Sequence, residues 1–149
     1  MRKTVCFVTP TYNASFHLDE CYESLKEQSN PNWEWVILND MSTDDTLEIA
    51  NKIVKSDERE RVSVINHDHK KFALKGIYDY LKNFSDFSEQ IIAILDGDDA
   101  LCNENTVDLI LKEYNSNSNL DALWTAHSWD INGMNISQEL PGNLNPYQY

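Results

Sequence analysis

The stretch Ile91-Ile92-Ala93-Ile94-Leu95-Asp96-Gly97-Asp98-Asp99 decides the fold. Its apolar half, rich in β-branched isoleucine, predicts a strand of a parallel sheet that is buried on both faces. Ligands of open α/β sheets bind outside the carboxyl ends of the strands, so we expect the carboxylates to lie beside a ligand. Clustered carboxylates repel one another unless a cation binds between them. The ion that best suits this cluster is Mg²⁺ or Mn²⁺, which binds few carboxylates and completes its coordination with water and substrate phosphates. The stretch therefore predicts a metal-assisted site for a nucleotide diphosphate; the alternative is a solvated acidic turn.

The charge balance narrows the ligands that the protein can bind. Twelve basic and twenty-five acidic residues give a formal net charge of −13 among 149 residues. Such a surface repels nucleic acid and anionic lipid, and no run of about 18 apolar residues predicts a membrane span. An anionic ligand would need local cations, which a metal at Asp96–Asp99 and a lysine, Lys70 or Lys71, would supply.

The beginning of the chain and the cysteines indicate a cytoplasmic protein. The apolar run Val5–Val8 is too short for the core of a signal peptide and precedes Pro10, so it predicts the first strand. The three cysteines, Cys6, Cys21 and Cys102, are too few and too widely spaced for a disulfide framework or a metal cluster. We therefore expect buried, reduced cysteines and a cytoplasmic location.

Short apolar strands alternate with amphipathic helices along the chain. Strands are predicted at Val5–Val8, Trp35–Leu38, Val62–Ile65, Ile91–Leu95, Ala122–Thr125 and Trp129–Ile131. Helices are predicted at about residues 15–28 and near residues 104–114. Another helix is predicted to begin at a cap formed by Ser42 or Thr43. A further helix is predicted from four apolar residues with helical spacing: Leu74, Ile77, Tyr78 and Leu81. This alternation predicts a three-layer α/β/α sandwich with a mostly parallel, Rossmann-like sheet over residues 1–131. Residues 132–149 lose the periodicity and predict an irregular segment.

Polar residues also follow the first two predicted strands. Thr9-Pro10-Thr11-Tyr12-Asn13 predicts either a plain strand-to-helix loop or a loop that holds a base or a ribose. Asn39 and Asp40 follow the second strand, where an aspartate can accept a hydrogen bond from a pyrimidine ring N–H or a ribose hydroxyl. The alternative role of Asp40, helix capping, is already supplied by Ser42 and Thr43.

The segment after the third predicted strand, Asn66–Lys71, offers weaker candidates. Two histidines two residues apart, His67 and His69, suggest a metal site, but without a third ligand nearby the pattern favours solvated side chains. Lys70 or Lys71 beside a diphosphate is more plausible on charge, although either could be an ordinary surface lysine.

Three polar segments follow one another along the chain in this order: Pro10-Thr11-Tyr12-Asn13, Asn39-Asp40-Met41-Ser42-Thr43-Asp44-Asp45-Thr46 and Asp96-Gly97-Asp98-Asp99. They resemble the motifs P-x-Y-N, D-D-G-S-x-D-x-T and D-x-D-D of the family-2 glycosyltransferases of GT-A fold. The resemblance covers about residues 4–125, and the second and third motifs together are fairly specific.

The resemblance implies a nucleotide-sugar-binding domain over residues 1–131, with 132–149 as the start of an acceptor region that the chain otherwise lacks. It implies that Asp40 contacts the base and that carboxylates of the third motif ligate Mn²⁺ or Mg²⁺ bridging the diphosphate. The nucleotide-binding residues predicted in this way are Pro10, Thr11, Tyr12, Asp40, Lys71, Asp96 and Gly97, and the metal ligands are Asp96, Asp98 and Asp99.

The chain departs from the family pattern at several positions. Asn39 replaces the first aspartate, and Met41 stands where glycine is usual, so the turn there must avoid or tolerate a positive φ. The family's A-R-N-x-G is reduced to Ala73-Leu74-Lys75-Gly76, so Lys70 or Lys71 would have to replace its arginine. The catalytic base of inverting members follows the D-x-D motif at a distance that this chain does not reach, so the base is unassigned.

The resulting hypothesis is a metal-assisted, inverting glycosyltransferase that moves a sugar from a nucleotide diphosphate, UDP by family tendency, to an acceptor hydroxyl or amine. The alternative is a non-catalytic nucleotide-sugar-binding module, or an enzyme fragment without its base. A nucleotidyltransferase would need a glycine-rich loop after the first strand, which is absent. Because residues 132–149 carry no core pattern, one edge of the predicted sheet is expected to be uncovered, and an uncovered edge predicts self-association.

Overall fold

The computed structural model describes residues 4–83, 89–117, 119–120 and 122–123, and the backbone of 128–131 and 134–137. The chain divides into two compact units, residues 1–117 and 118–149. The first unit contains the segments that carry all three motifs.

Strands and helices alternate through the first unit. In chain order they are β1 Thr4–Thr11, α1 Leu18–Lys26, β2 Trp33–Asn39, α2 Thr46–Ser56, β3 Val62–Asn66, α3 Ala73–Leu81, β4 Gln90–Ile94 and α4 Thr106–Ser116. The four strands form one parallel sheet in the order β3-β2-β1-β4. Because the chain builds outward from β1 to β3 and then crosses to the other side of β1, the topological switch point lies between β1 and β4.

Helices cover both faces of this sheet. Alternate strand residues such as Phe7, Trp35 and Ile37 pack in a buried cluster with residues of α1, α2 and α4. The intervening residues, Cys6, Val8, Val36 and Leu38, pack with Ile77 and Tyr80 of α3 on the opposite face. Both faces of β1 and β2 are therefore buried, which confirms the predicted three-layer α/β/α sandwich.

Strand β4 differs from its prediction as a fully buried strand. Among the residues that the structure describes, β4 pairs with β1 alone, so it stands at an edge of the sheet. Ile91 is buried, whereas Ile94 is 51% exposed. A continuous apolar run does not distinguish an interior strand from an edge strand.

The predicted inward face of α3 is partly wrong. Leu74 and Tyr78 are 82% and 62% exposed, whereas Gly76 is buried and Ile77 and Tyr80 pack on the sheet. The reason is steric, because a Cβ at residue 76 would lie only 3.0 Å from Cε1 of His67. The glycine lets the helix backbone approach that ring, which turns other apolar side chains outward.

The second unit contains a two-stranded antiparallel sheet of β5 Ser128–Ile131 and β6 Met134–Ser137. The strand predicted at Trp129–Ile131 is present, but it pairs in this separate hairpin. Ala122 and Leu123 are not in a strand, and the rest of the strand predicted at 122–125 lies outside the described residues. Strand β6 lies in the segment predicted to be irregular, and the hairpin includes residues on both sides of the predicted domain boundary at residue 131. The boundary itself stays a prediction.

No helix in the described part of the chain is long and apolar enough to cross a membrane.

Candidate functional site

The carboxyl ends of β1, β2 and β3 stay in register up to their last residues. Thr11 pairs with Asn39, and Asn39 pairs with Asn66. The ladder continues one step further, because Asp40 N–H donates to Thr11 O at 2.9 Å and His67 N–H donates to Asn39 O at 3.0 Å. Tyr12, Asp40 and His67 therefore leave the sheet side by side.

These strand ends border a cavity of about 330 Å³. Its lining comes from β1 and β2, from the segment after β3 and from the start of α3: Pro10, Thr11, Tyr12, Leu38, Asp40, His67, Lys70, Phe72, Ala73 and Gly76. The structure thus brings together four of the predicted nucleotide-binding residues, Pro10, Thr11, Tyr12 and Asp40. We call this space the strand-end cavity.

Asp40 is the most heavily bonded residue of the strand-end cavity. Its Oδ1 accepts the backbone N–H of Lys71 at 2.7 Å, and its Oδ2 accepts that of Phe72 at 2.8 Å. His67 Nδ1 lies 3.3 Å from Oδ1, and both side chains are buried. Burial by itself would raise the pKa of Asp40, but these hydrogen bonds and the nearby Lys70 ammonium outweigh it and hold the pKa below its usual value. The carboxylate therefore stays ionised and fixes the segment before α3.

Phe72 depends on this anchoring. Its backbone has φ 62° and ψ 160°, a region that side chains other than glycine avoid. The hydrogen bond from Phe72 N–H to Asp40 holds the residue there, with its ring 71% exposed beside the cavity. An aromatic wall is thus built at the cost of local backbone strain.

The cation of the strand-end cavity is Lys70 rather than Lys71. Lys70 Nζ lies over the ring of Tyr12, donates to Asp40 O at 3.2 Å and lies 3.6 Å from Asp40 Oδ2. Lys71 Nζ is instead paired with Asp79 of α3 at 3.3 Å. Lys71 does not line the cavity, and its contact with the nucleotide stays a prediction. Only the backbone of Lys71 contacts Asp40.

The second motif serves mainly to fix the loop after β1. Asn13 N–H donates to Ser42 Oγ at 3.0 Å, and Asn13 Oδ1 accepts Thr43 N–H at 2.8 Å. Ser42 Oγ in turn donates to Asn39 Oδ1 at 2.6 Å. Asn39, where the family pattern has an aspartate, therefore joins β2 to this loop without carrying a charge.

Asp44, and not Ser42 or Thr43, provides the hydrogen bonds at the start of α2. Its carboxylate accepts Thr46 N–H at 3.0 Å and Ser15 N–H at 3.2 Å. Burial opposes ionisation, but the hydrogen bonds from Thr46 and Ser15 lower the pKa of Asp44 to about 2. The predicted capping role of Ser42 and Thr43 is therefore wrong, which leaves them free to hold Asn13.

Met41, which stands where the family pattern has glycine, has a positive φ. Its φ is 60°, in the left-handed region. The turn after Asp40 thus keeps a positive φ and tolerates the methionine.

The acidic loop after β4 is exposed. Asp99 N–H donates to Asp96 O at 3.0 Å in a tight turn, and the side chains of Asp96, Asp98 and Asp99 are directed into solvent-accessible space. Nowhere among the described residues do three or more metal-ligating side chains converge on one point. The predicted three-carboxylate ligand set is therefore not assembled in the protein alone. The donor chemistry still fits, because Mg²⁺-type ions take one or two carboxylates and complete their shell with water and substrate phosphates.

Gly97 joins the acidic loop to the end of β1. A Cβ at residue 97 would lie 2.7 Å from Thr11 Cγ2, closer than real side-chain contacts allow. The carboxylate loop therefore packs directly on a residue of the strand-end cavity, at the switch point of the sheet.

A larger cavity, of about 530 Å³, lies among Tyr22, Asp57, Arg59 and Arg61 at the opposite edge of the sheet. There Arg61 pairs with the buried Asp57 at 3.2 Å and stacks on Trp33 with its Cζ 3.6 Å from the ring centroid. Size alone would favour this cavity, but none of the three motifs reaches it. The strand-end cavity is therefore the better candidate.

The chain matches the family model of Glycosyl transferase family 2 over residues 6–147 and belongs to that family. A relative in Bacillus subtilis, the putative teichuronic acid biosynthesis glycosyltransferase TuaG, is 42% identical over 55 residues, which are 37% of this chain and 22% of TuaG. The chain thus spans a minor part of the curated relatives that it matches.

Solved structures agree on the fold. S. aureus TarS 1–349 in complex with UDP-GlcNAc matches 76% of this chain and 31% of its own with a TM-score of 0.64 at 23% identity. Mannosyltransferase PcManGT from Pyrobaculum calidifontis, in complex with GDP-Man and Mn²⁺, matches 71% of this chain and 30% of its own with a TM-score of 0.62 at 19% identity. The predicted GT-A type fold is confirmed.

Sequence reasoning missed several residues of the strand-end cavity. His67 was expected to be solvated, yet it is buried against Asp40. Phe72, Ala73 and Gly76 belong to a helix start that periodicity assigns to packing alone. The available signal was Gly76, a helix-interior glycine, because such a residue indicates a close approach by another group.

Proposed function

We propose that this chain is the donor-binding part of a metal-assisted, inverting glycosyltransferase that uses a nucleotide diphosphate sugar, with UDP favoured. The observation that carries the proposal is the strand-end cavity, walled by Tyr12 and Phe72, with the acidic loop packed on Thr11 through Gly97. A flat base would pack against these aromatic side chains beside Lys70, which lies over the Tyr12 ring, and the diphosphate would then extend toward the carboxylates. TarS and PcManGT, which carry UDP-GlcNAc and GDP-Man in their structures, support a nucleotide-sugar donor.

The polar groups of the cavity would orient that base. The hydrogen bonds from Lys71 and Phe72 occupy both oxygens of Asp40, and His67 adds a second contact to Oδ1. A carboxylate oxygen has two acceptor sites, so Oδ2 keeps room for a ring N–H. The Lys70 ammonium beside it would donate to a base carbonyl or neutralise phosphate charge.

The acidic loop would hold the divalent ion together with the diphosphate. Asp96, Asp98 and Asp99 are the candidate carboxylates for this role, and the ion would stabilise charge on the departing nucleotide diphosphate. The sugar would pass with inversion to an acceptor hydroxyl or amine, and the catalytic base remains unassigned. We propose that the transferred sugar is a hexose.

Calorimetric titration of the chain with UDP, with Mn²⁺ or with EDTA, tests the proposal. We expect UDP to bind in Mn²⁺ and to lose at least about tenfold in affinity in EDTA, roughly 1.4 kcal/mol. Asp98→Asn should remove most of the metal dependence, whereas Asp19→Asn, an exposed aspartate of α1, should leave it unchanged. Equal UDP affinity in Mn²⁺ and EDTA would refute metal assistance.

Turnover separates the enzyme from the alternative, a nucleotide-sugar-binding module without a base. Release of UDP from a UDP-sugar that depends on a saccharide acceptor would support transfer by this chain. Binding without any turnover would support a module, or an enzyme fragment, that lacks the catalytic base. Self-association and a cytoplasmic location also remain proposals, to be tested by light scattering and by cell fractionation.

A further inference from the structure

The side of α3 that faces away from the sheet combines exposed apolar and basic side chains. Leu74 and Tyr78, one helical turn apart, are 82% and 62% exposed. Lys75 and Lys82 follow on the adjoining stripe, with side chains 59% and 51% exposed. We call these four residues the α3 surface.

The α3 surface belongs to a basic segment of a strongly acidic protein. Residues 70–82 contain four lysines and one aspartate, a net charge of +3, whereas the whole chain has −13. The aspartate, Asp79, is shared by Lys71, Lys75 and Lys82, so its single charge is more than balanced. The segment therefore attracts anions locally although the protein as a whole repels them.

The α3 surface is separate from the functions already described for the helix. Ile77 and Tyr80 pack on the sheet, and Ala73 and Gly76 line the strand-end cavity. Leu74, Tyr78 and Lys82 contribute to neither. The exposed Leu74 and Tyr78, with lysines beside them, therefore have no role in packing the core or in lining the cavity.

We propose that the α3 surface binds an anionic lipid surface. An interfacial helix inserts its apolar side chains at the level of the headgroups, while flanking lysines extend to the lipid phosphates. Here Leu74 and Tyr78 would enter the interface, and Lys75 and Lys82 would contact the headgroups. Membrane contact through this surface requires no spanning helix.

Charge complementarity favours lipid over a second copy of the chain. In a two-fold symmetric dimer the same patch meets itself, so lysines would face lysines. An anionic bilayer instead presents many negative charges to the one basic surface, and the acidic remainder of the protein would be held away from it. Because α3 also lines the strand-end cavity, the cavity would lie within about one helix diameter, some 10 Å, of the membrane.

Vesicle sedimentation of the full chain tests the proposal. We expect binding to vesicles that contain phosphatidylglycerol, little binding to pure phosphatidylcholine, and release at high salt. Leu74→Ser should weaken binding about tenfold, and Lys75→Gln about fivefold.

The chain offers matched controls for both changes. Leu109→Ser alters a leucine of α4 that is 51% exposed. Lys52→Gln alters a lysine of α2 paired with Glu48 in the same i, i+4 spacing as Lys75 with Asp79. Both controls should bind vesicles like the unchanged chain, and all four variants should keep their melting temperature and UDP affinity.

Three outcomes would overturn the proposal. One is the absence of binding to phosphatidylglycerol vesicles, and the second is an equal loss of binding in the controls. The third is that Leu74→Ser abolishes self-association while vesicle binding is unaffected, which would assign the α3 surface to contact between copies.

Discussion

Gly97 lies so close to Thr11 that a Cβ on residue 97 would come within 2.7 Å of the threonine Cγ2. The next nearest atoms, Ala14 Cβ and Pro10 O, would be at ordinary contact distances of 3.5 and 3.6 Å. One methyl group therefore determines which residue the acidic loop can carry at this position. The contact ties the loop after β4 to the cavity wall at the end of β1.

Gly97→Ala should destabilise the protein by about 1–3 kcal/mol, because one added methyl group overpacks a closed contact. Adding Thr11→Ser to the same chain removes Cγ2 and keeps the hydroxyl that donates to Leu38 O at 3.2 Å. Urea unfolding of the two single variants and the double variant should give a coupling of about 1 kcal/mol in favour of the pair. Additive effects would mean that the loop shifts instead of clashing.

Asp40→Asn should lower both stability and nucleotide affinity. The amide cannot accept the N–H groups of Lys71 and Phe72 at both of its ends, so we expect a loss of about 1.5–3 kcal/mol. The matched control is Asp57→Asn, which breaks another buried pair, with Arg61, far from the motifs. Urea unfolding should detect both variants, while UDP calorimetry should detect Asp40→Asn alone. The sequence predicts only the contact of Asp40 with the nucleotide, whereas the structure adds its hydrogen bonds to the backbone before α3.

Stability should fall in acid partly because of Asp44. Its pKa is about 2 in the folded protein and 3.8 in the reference state, so its contribution is present above pH 3.8 and is lost as the pH falls toward 2. Urea unfolding between pH 6 and pH 2.5 should therefore show a shallower acid loss for Asp44→Asn than for the unchanged chain. An identical pH dependence would contradict the hydrogen bonds assigned to this carboxylate.

Met41→Gly should stabilise the protein by about 1 kcal/mol, because it removes the penalty of a side chain at positive φ. Glu60→Gly provides the comparison, since Glu60 has φ 55° in the turn between α2 and β3. Thermal unfolding should show a similar gain for both variants. A loss in Met41→Gly alone would indicate that the methionine side chain makes a stabilising contact.

Lys70→Ala and Lys71→Ala should have different effects although the residues are neighbours. Removing the Lys70 ammonium from beside Tyr12 and Asp40 should weaken UDP binding about tenfold, roughly 1.4 kcal/mol. Removing the Lys71 side chain should leave UDP affinity unchanged, because its ammonium is bound to Asp79. Calorimetry of the two variants distinguishes them, and the reverse ranking would assign the nucleotide contact to Lys71, as the sequence predicts.

The layer structure could be predicted because it depends on local patterns. Apolar runs such as Val5–Val8 and Ile91–Leu95, each followed by a helical period, are sufficient to predict parallel β-α units. The motifs likewise follow strands, so their meeting at one edge of the sheet follows from the topology.

The rest depends on contacts that no local pattern encodes. Asp40 is bonded to groups about thirty positions further along the chain, so its role as the anchor of Phe72 is not visible in sequence. Asp79 binds the Lys71 ammonium while Lys70 lines the cavity, and the ring of His67 lies against Gly76 of α3. Periodicity identifies the apolar residues of a helix, but a single close contact between the helix backbone and a neighbouring side chain can determine which of those residues are buried.

The position of β1 between β2 and β4 has a consequence for synthesis on the ribosome. β2 ends at Asn39 and β4 ends at Ile94. After β2 is complete, fifty-five further residues must therefore be synthesised before β4 can pair with the other side of β1. At about 5–20 residues per second, that delay is about 3–11 s. During it the nascent chain carries an apolar strand with one unpaired edge, a substrate for chaperones that protect such segments. Every residue that lines the strand-end cavity, from Pro10 to Gly76, is synthesised before the acidic loop. The contact of Gly97 with Thr11 is therefore added to a cavity wall whose residues have already left the ribosome's active site.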